Sequence, residues 1–533
     1  MMNIFKKPIF WILILALVVR FYKLGSFPIG FHVDEVKVGW ESLSIAKTLK
    51  DDKLNFLPLY YNSFGDYRPT GIFYLSMPAI FIFGNTPFAV RFTSALFGSL
   101  SVVLVYLLLK NFKKDFDQSE NVAYFSAFTL AILPWHISVS RATSEVAISL
   151  FFILLTIYSF IKVTSQSRWK YLIIAAASTF ISYSLYHSAR ILLPLYLFSL
   201  TVFFKDKINL RNILIFVFSV LLTVILTFQP ESKERLKQVS IFKSEGVVFE
   251  VKKSNENKYL IYTKTLVKEY GKYFSTDFLI GDSARPFRYM TPGFGIIGYL
   301  ELTLLIIGSV LIVREKRLSL FLVLMLISPI SSILTHEDSP NLHRSFYMSA
   351  FIAIIIGFAI SKIKYKRATV TLLVLSLLYF LTAHFKNELH LPYQTVYIDS
   401  PTYRNVGYSE FAKRIDDLSI KYDKVYITYF PDSVYTWYAF LNNKDPKEIN
   451  NASYIVNTNQ RIYKNIIFTD MKCPSDSAFD NDDKNILVID SGECAIETKI
   501  KDRMPARIIE EVKRQDGTIL FYLIERDEKN SVI

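Results

Sequence analysis

The sequence predicts an all-α polytopic membrane bundle of about eleven helices, followed by a C-terminal extracytoplasmic α/β or α+β domain. Three observations predict it. The 533-residue chain is 51% hydrophobic and 16% aromatic, and apolar runs of membrane-spanning length recur up to about residue 387. Basic residues collect in alternate connections between those runs. Beyond residue 388 the apolar runs shorten to strand length.

A helix crossing a ~30 Å hydrocarbon core needs roughly 20 residues, fewer when its ends snorkel. The candidate spans are 8–22, 89–109, 121–138, 145–161, 171–186, 190–204, 212–228, 294–313, 318–334, 345–361 and 368–385. The first run continues into Arg20 and Phe21 without a small-residue cleavage site, so it reads as a retained span. Ile72 to Gly84 is too short, and Pro78 interrupts it. It is expected as a juxtamembrane or re-entrant helix.

Charge orients the bundle. With the N-terminus inside, the cytoplasmic segments carry 18 basic residues against five acids, a surplus of 13 within the chain's +14. The basic excess is therefore a topology signal. It implies no nucleic-acid partner. The protein is expected in the cytoplasmic membrane, with its C-terminal domain outside. Domain limits of 1–387 and 388–533 follow, with long outer loops at 23–88 and 229–293.

In the tail, KVYITYF, NIIFTD and NILVIDSG read as strands, and YSEFAKRIDDL has helical spacing. ARIIEEV and ILFYLIE read as a hairpin turning on Asp516-Gly517. Both cysteines, Cys473 and Cys494, lie here, 21 positions apart. Outside the cell they are expected to pair, a crosslink contributing roughly 3 kcal/mol in the chain-entropy model. Two free buried thiols are the alternative. Asn451-Ala452-Ser453 is a glycosylation sequon.

Mixed acidic, basic and histidine clusters fall at the outer connections. They are Asp34-Glu35, Asp66-Tyr67-Arg68-Pro69, Arg141 to Glu145, His187 to Arg190, 281–293, and His336 to Arg344. The inner connections are lysine-rich and lack such clusters. This asymmetry points to a reaction site at the outer membrane–water boundary. Plainer readings stand beside it. Asp34 is a candidate helix N-cap with Glu35 at the positive helix end. Arg141 and Glu145 fit an i,i+4 pair. Arg190 and Arg344 fit headgroup anchors. His336, Glu337, Asp338 and His343 are a weak metal set, for which a solvated loop is the plainer account. No cofactor is firmly implied, and a divalent metal is compatible.

The order of these motifs resembles a known family. An uncleaved first span precedes an Asp-Glu pair in a long outer loop. Asp66-Tyr67-Arg68-Pro69-Thr70-Gly71 then opens a short apolar helix, and Ala89-Val90-Arg91-Phe92 opens a span. This is similar to the GT-C glycosyltransferases of the protein O-mannosyltransferase and aminoarabinose-transferase type. YHSARILLPL and SPNLHRSFYM also resemble bacterial members. The sequence departs at Arg68-Pro69-Thr70, where the family usually has Lys-Pro-Pro or His-Pro-Pro, and it lacks the WWDYG motif of oligosaccharyltransferases.

The resemblance implies inverting transfer of a sugar from a polyprenyl-phosphate donor to a hydroxyl acceptor on lipid, glycan or protein. Asp34 would be the base, with Glu35 orienting the acceptor or an arginine, and Asp66 the second-choice base. Arg68, Arg141, Arg190 and Arg344, joined by His343 and Tyr67, are the candidates for the donor phosphate. Membrane lipids are the other expected partner. The alternatives are a polytopic transporter and an outer-domain ligand-binding protein without catalysis.

Overall fold

The structure is a computed structural model. It describes residues 7–63, 66–112, 120–166, 168–281, 283, 285–286, 289, 294–315, 317–383, 404–429, 434–450, 454–455, 460–479, 485–501, 506–514 and 517–526. The sequon at 451–453, Asp516, the side chain of Asp66 and much of 281–293 lie outside the described residues. The chain divides into two compact units. The first comprises 1–24, 59–72 and 91–390, and the second 25–58, 73–90 and 391–533.

The first unit is helical. Among the described residues, four helices are long and apolar enough to cross a membrane: Pro87–Lys110, Glu145–Gln166, Leu210–Thr227 and Lys366–Ala383. A bent pair, Asn121–Ile132 and Pro134–Arg141, makes a fifth. Shorter apolar helices include Pro8–Phe21, His187–Phe203, Tyr299–Ile312 and Met348–Ser361. The chain is therefore an integral membrane protein by composition and helix length. The expected eleven crossings rest on these shorter helices as well. Glu145–Gln166 is an interior helix, 78% buried over its apolar window, whereas Leu210–Thr227 is only 17% buried and turns its apolar face outward.

Close helix contacts use small residues, because a bilayer offers no hydrophobic drive between helices and packing must supply the contact. A Cβ on Gly357 would lie 2.3 Å from Ser126 N, so Met348–Ser361 can meet Asn121–Ile132 only through glycine.

The expected single span 121–138 is broken. Pro134 cannot donate to the helix before it, and the two segments meet at 54°. A break in an apolar setting frees carbonyls that must find donors. Arg20 supplies them: Nη1 donates to Ala131 O (3.0 Å) and Nη2 to Leu130 O (3.2 Å). Arg141 does the same for the end of Pro8–Phe21. Its Nη1 donates to Val19 O (2.8 Å), Arg20 O (3.2 Å) and Tyr22 O (3.0 Å).

The second unit is built on a seven-stranded mixed sheet. The spatial order is Tyr454–Ile455, Gln460–Tyr463, Ile466–Phe468, Lys424–Ile427, Ile486–Ser491, Ile519–Arg526 and Ala506–Lys513. Lys424–Ile427 pairs in parallel with both neighbours, and the other pairings are antiparallel. Every residue of Ile486–Ser491 is buried: Ile486–Ile489 are apolar toward both faces, and Asp490 accepts from Ser475 N (3.0 Å). The expected hairpin forms, with Gly517 in the left-handed region at φ +84°. Cys473 and Cys494 are disulfide-bonded.

Helix Val33–Thr48 belongs to this unit. Val33 N donates to Asn405 Oδ1 (2.9 Å), and Trp437 Nε1 donates to Phe31 O (2.9 Å). Gly39 lets the helix approach Phe440, whose ring a Cβ would meet at 2.7 Å.

Candidate functional site

A cavity of about 250 Å³ opens within the first unit. Four arginines line it: Arg68, Arg190, Arg235 and Arg344. Three come from different elements and Arg344 from a turn.

Arg68 lies in strand Asp66–Pro69, opposite Tyr61 of strand Tyr60–Ser63. The chain then passes Ser184 so closely that a Cβ on Gly71 would be 2.4 Å from its carbonyl. Only glycine permits that approach, and it fixes the register of Arg68. Arg190 lies in the first turn of His187–Phe203 and is 4% exposed. Its Nε and Nη2 donate to Tyr183 O (3.1 and 3.0 Å), and Nη1 donates to Tyr60 Oη (3.0 Å) and Ser232 Oγ (2.8 Å).

Arg235 comes from helix Pro230–Val239. Ser232, Arg235, Leu236 and Val239 all line the cavity, at i, i+3, i+4 and i+7 on one face. Arg344 follows a turn shaped by Asn341, whose Oδ1 accepts from His343 N (3.0 Å) and Arg344 N (2.8 Å).

One carboxylate holds two of these cations. Glu337 Oε2 lies 2.5 Å from Arg344 Nη2 and 3.2 Å from Arg235 Nη2. Burial alone would raise the Glu337 carboxyl, but Arg235 and Arg344 outweigh it and hold its pKa below the ordinary value. Burial likewise opposes the Arg344 charge, and Tyr186 and Glu337 reverse that effect. Arg344 Nη1 also donates to Thr335 Oγ1 (2.6 Å) and Glu337 O (3.0 Å).

His343 sits against Glu145. Its Nε2 is 2.9 Å from Ser144 Oγ and 4.0 Å from Glu145 Oε2. Its Nδ1 is 3.2 Å from Tyr186 Oη, and the Tyr289 ring stacks on it at 4.8 Å. The imidazole is thus fixed in orientation, with a carboxylate at one edge and a phenol at the other.

The fold therefore brings together Arg68, Arg190, His343 and Arg344 from the candidate phosphate set. Arg141 and Tyr67 are not among the cavity-lining residues. Arg141 is fully buried on backbone carbonyls, as described above. Tyr67 contributes its carbonyl, 3.1 Å from His187 Nε2. Arg141 is the last residue of Pro134–Arg141 and Glu145 the first of Glu145–Gln166, so the two do not share one helix.

His336, Glu337 and Asp338 do not gather their donor atoms to metal-ligand distance. Among the described residues such a group forms only at Cys473, Asp490 and Cys494, where the sulfurs are already bonded to each other. His336 Nδ1 instead contacts Val239 O at 3.0 Å. Sequence reasoning passed over Arg235 and Ser232. Their signal was the helical spacing in PESKERLKQV, inside a loop read only as long.

In the second unit, Asp34 and Glu35 open helix Val33–Thr48, but the N-cap is His32. His32 Nδ1 accepts from Asp34 N (3.0 Å), and Glu35 Oε2 accepts from His32 N (3.2 Å), which completes a capping box. Glu35 is 5% exposed, with one carboxylate oxygen held in that box. Asp34 is half-buried, with Oδ2 3.8 Å from His32 Nδ1. One turn on lies a buried cluster. Asp52 Oδ2 is 2.7 Å from Lys37 Nζ and 3.1 Å from Arg461 Nη2, while Glu41 Oε2 accepts from Asp52 N (3.0 Å).

The family model of dolichyl-phosphate-mannose-protein mannosyltransferases matches residues 68–231. Comparison with curated proteins gives no match. Among solved structures, ArnT from Cupriavidus metallidurans in the apo state is 11% identical with a TM-score of 0.55, covering 97% of each chain. The same protein bound to undecaprenyl phosphate gives a TM-score of 0.52 at 11% identity, again over 97% of each chain. The Archaeoglobus fulgidus oligosaccharyltransferase complex with zinc and sulfate gives a TM-score of 0.45 at 13% identity, covering 82% of this chain. The chain spans 62% of the length of that oligosaccharyltransferase. Over nearly its whole length the chain has the GT-C glycosyltransferase fold, and residues 68–231 carry the sequence pattern of the dolichyl-phosphate-mannose-protein mannosyltransferases.

Proposed function

We propose that this protein is an inverting glycosyltransferase that moves a sugar from a polyprenyl-phosphate donor to a hydroxyl acceptor at the outer membrane surface. The observation that carries the reading is the cavity with four arginines from four separate segments of the membrane unit. A lipid phosphate leaving from an anomeric carbon gains negative charge as the bond breaks. Fixed cations in a site of restricted solvent stabilise that charge without reorganising. Binding of undecaprenyl phosphate by ArnT, whose fold this chain shares, supports the same donor class.

The step balances simply. The acceptor oxygen attacks the anomeric carbon from the face opposite the phosphate, and the C–O bond breaks with its electron pair leaving on the phosphate. The acceptor proton passes to a carboxylate. Family resemblance assigns that base to Asp34, with Asp66 the second choice. The cavity offers its own candidate in Glu145 beside His343. Family resemblance gives Glu35 an orienting role, and its Oε2 also accepts from His32 N at the helix start.

The test uses purified protein in lipid with a panel of polyprenyl-phosphate sugars and measures release of free polyprenyl phosphate, with and without chelator. One donor is expected to be consumed. Asp34→Asn is expected to lower turnover ~10²-fold or more while the protein stays folded. If Glu145→Gln abolishes turnover and Asp34→Asn does not, the base is in the cavity. If no polyprenyl phosphate is released from any donor, with acceptor lipids, glycans and peptides present, the reading is lost.

A further inference from the structure

The connection that supplies Arg235 has a second face. Residues 230–272 form three helices, Pro230–Val239, Glu245–Lys253 and Lys258–Lys272. The last two helices, residues 245–272, carry six basic residues against four acids. On its far side large apolar side chains stand in the open. Phe249 is 64% exposed, Tyr259 67%, Leu260 49% and Val267 66%. They are interleaved with Lys252, Lys253, Lys258 and Lys268, all exposed. Tyr259, Thr263 and Val267 run along Lys258–Lys272 beside Leu260, Lys264 and Lys268, so apolar and basic groups share one face.

Both ends of the segment are joined to apolar helices of membrane-helix composition. Pro230 follows the end of the apolar helix Leu210–Thr227 by three residues. At the other end Tyr270 Oη donates to Leu326 O (2.8 Å), in the apolar helix Ser319–Ile327. A surface at that height meets lipid headgroups. Exposed aromatic and aliphatic groups suit the acyl boundary there, and lysines reach the phosphates above it. Lys264 is already occupied by Glu256 at 2.7 Å, which leaves the other four lysines to face outward.

We propose that the outer face of residues 245–272 is a docking surface for anionic phospholipid headgroups beside the cavity. The basic excess fits a negative headgroup layer. Apolar exposure on this scale, absent a lipid, would be a liability for a surface bathed in water. The inference rests on the bilayer position of the adjoining helices and is independent of sugar transfer.

The experiment uses the full chain with Leu260→Cys, since both native cysteines are disulfide-bonded. The new thiol carries an environment-sensitive fluorophore, and the protein is placed in nanodiscs of phosphatidylcholine alone or with phosphatidylglycerol. Blue-shifted emission, quenched by headgroup spin-labelled lipid and stronger with phosphatidylglycerol, is expected. A lysine near an anionic surface contributes about 1 kcal/mol, so Lys253→Glu with Lys268→Glu should weaken the phosphatidylglycerol response by more than about fivefold. Arginine at both positions should retain it. A label quenched by aqueous iodide to the same degree in both discs would mean the face meets water or a soluble partner, and overturns the proposal. Blue-shifted emission equal in both discs, unchanged by the charge reversals, overturns the role of anionic headgroups.

Discussion

Arg344 is already bound to a carboxylate, so whether its charge is still available to a phosphate is a quantitative question. Arg235, Arg344 and Glu337 together carry a net charge of +1 when Glu337 is ionised, as its lowered pKa ensures at neutral pH. Arg344→Ala takes the trio to zero, Glu337→Gln takes it to +2, and the double substitution returns it to +1. At an effective dielectric of about 20, a unit charge about 4 Å from a phosphate oxygen is worth about 4 kcal/mol before solvent and mobility reduce it. Measured charge-assisted hydrogen bonds are nearer 1.5–3 kcal/mol, or about 10- to 150-fold in affinity.

Arg344→Ala is therefore expected to raise the donor KM by about 10- to 100-fold. Glu337→Gln should lower it, by less, because Arg344 loses its anchor. The double variant should fall between them, near the wild type. The assay is release of polyprenyl phosphate over a donor series, with thermal unfolding in detergent as the control for folding. The ordering is the signature. If Arg344→Ala and Glu337→Gln both weaken donor use, the ion pair is structural and the charge-counting argument fails. Unchanged KM in both would put the phosphate elsewhere.

Three further outcomes are expected. Arg141→Ala removes the donor to three carbonyls, two of them buried, so it should cost about 3 kcal/mol and reduce folded yield. A stable variant with a raised donor KM would instead make Arg141 a phosphate ligand. For Glu41, burial and then the neighbouring Asp52 raise the carboxyl well above its ordinary value of 4.5. Its contribution to stability is therefore complete below that value and lost as pH rises through the raised pKa. Glu41→Gln should remove this alkaline loss and match the wild type in acid. An unchanged pH profile of unfolding in the second unit would show that Glu41 ionises freely. Cys473→Ser with Cys494→Ser opens a loop worth roughly 3 kcal/mol in the chain-entropy model. Limited proteolysis between 471 and 496 should quicken while donor turnover holds. Equal proteolysis rates would show that the crosslink constrains little.

Much of this molecule was legible from residue order. The short helix after Arg68-Pro69, the strands of the tail, the disulfide and the hairpin at Gly517 are local or composition-driven, and each formed as the pattern required. The break at Pro134 was visible as a residue but passed over, because mean apolarity across 121–138 hides a lost hydrogen bond. The charged clusters between the apolar runs were legible as a list. What a list cannot give is which charges reach a common cavity. Arg141 and Arg190 look alike in sequence, yet Arg141 ends a helix while Arg190 lines the cavity.

The sequence by itself determined the class of solvent each segment meets, since transfer of apolar side chains depends on composition and period. It therefore set the membrane helices, the basic connections and the β-rich tail. Only the tertiary structure decided which polar groups share a cavity. Arg68, Arg190, Arg235 and Arg344 are separated by up to 276 positions. Their meeting depends on Gly71 passing Ser184, on one face of Pro230–Val239 and on the turn at Asn341. Hydrogen bonds and charges act over a few ångströms, so their partners are fixed by packing rather than by order along the chain.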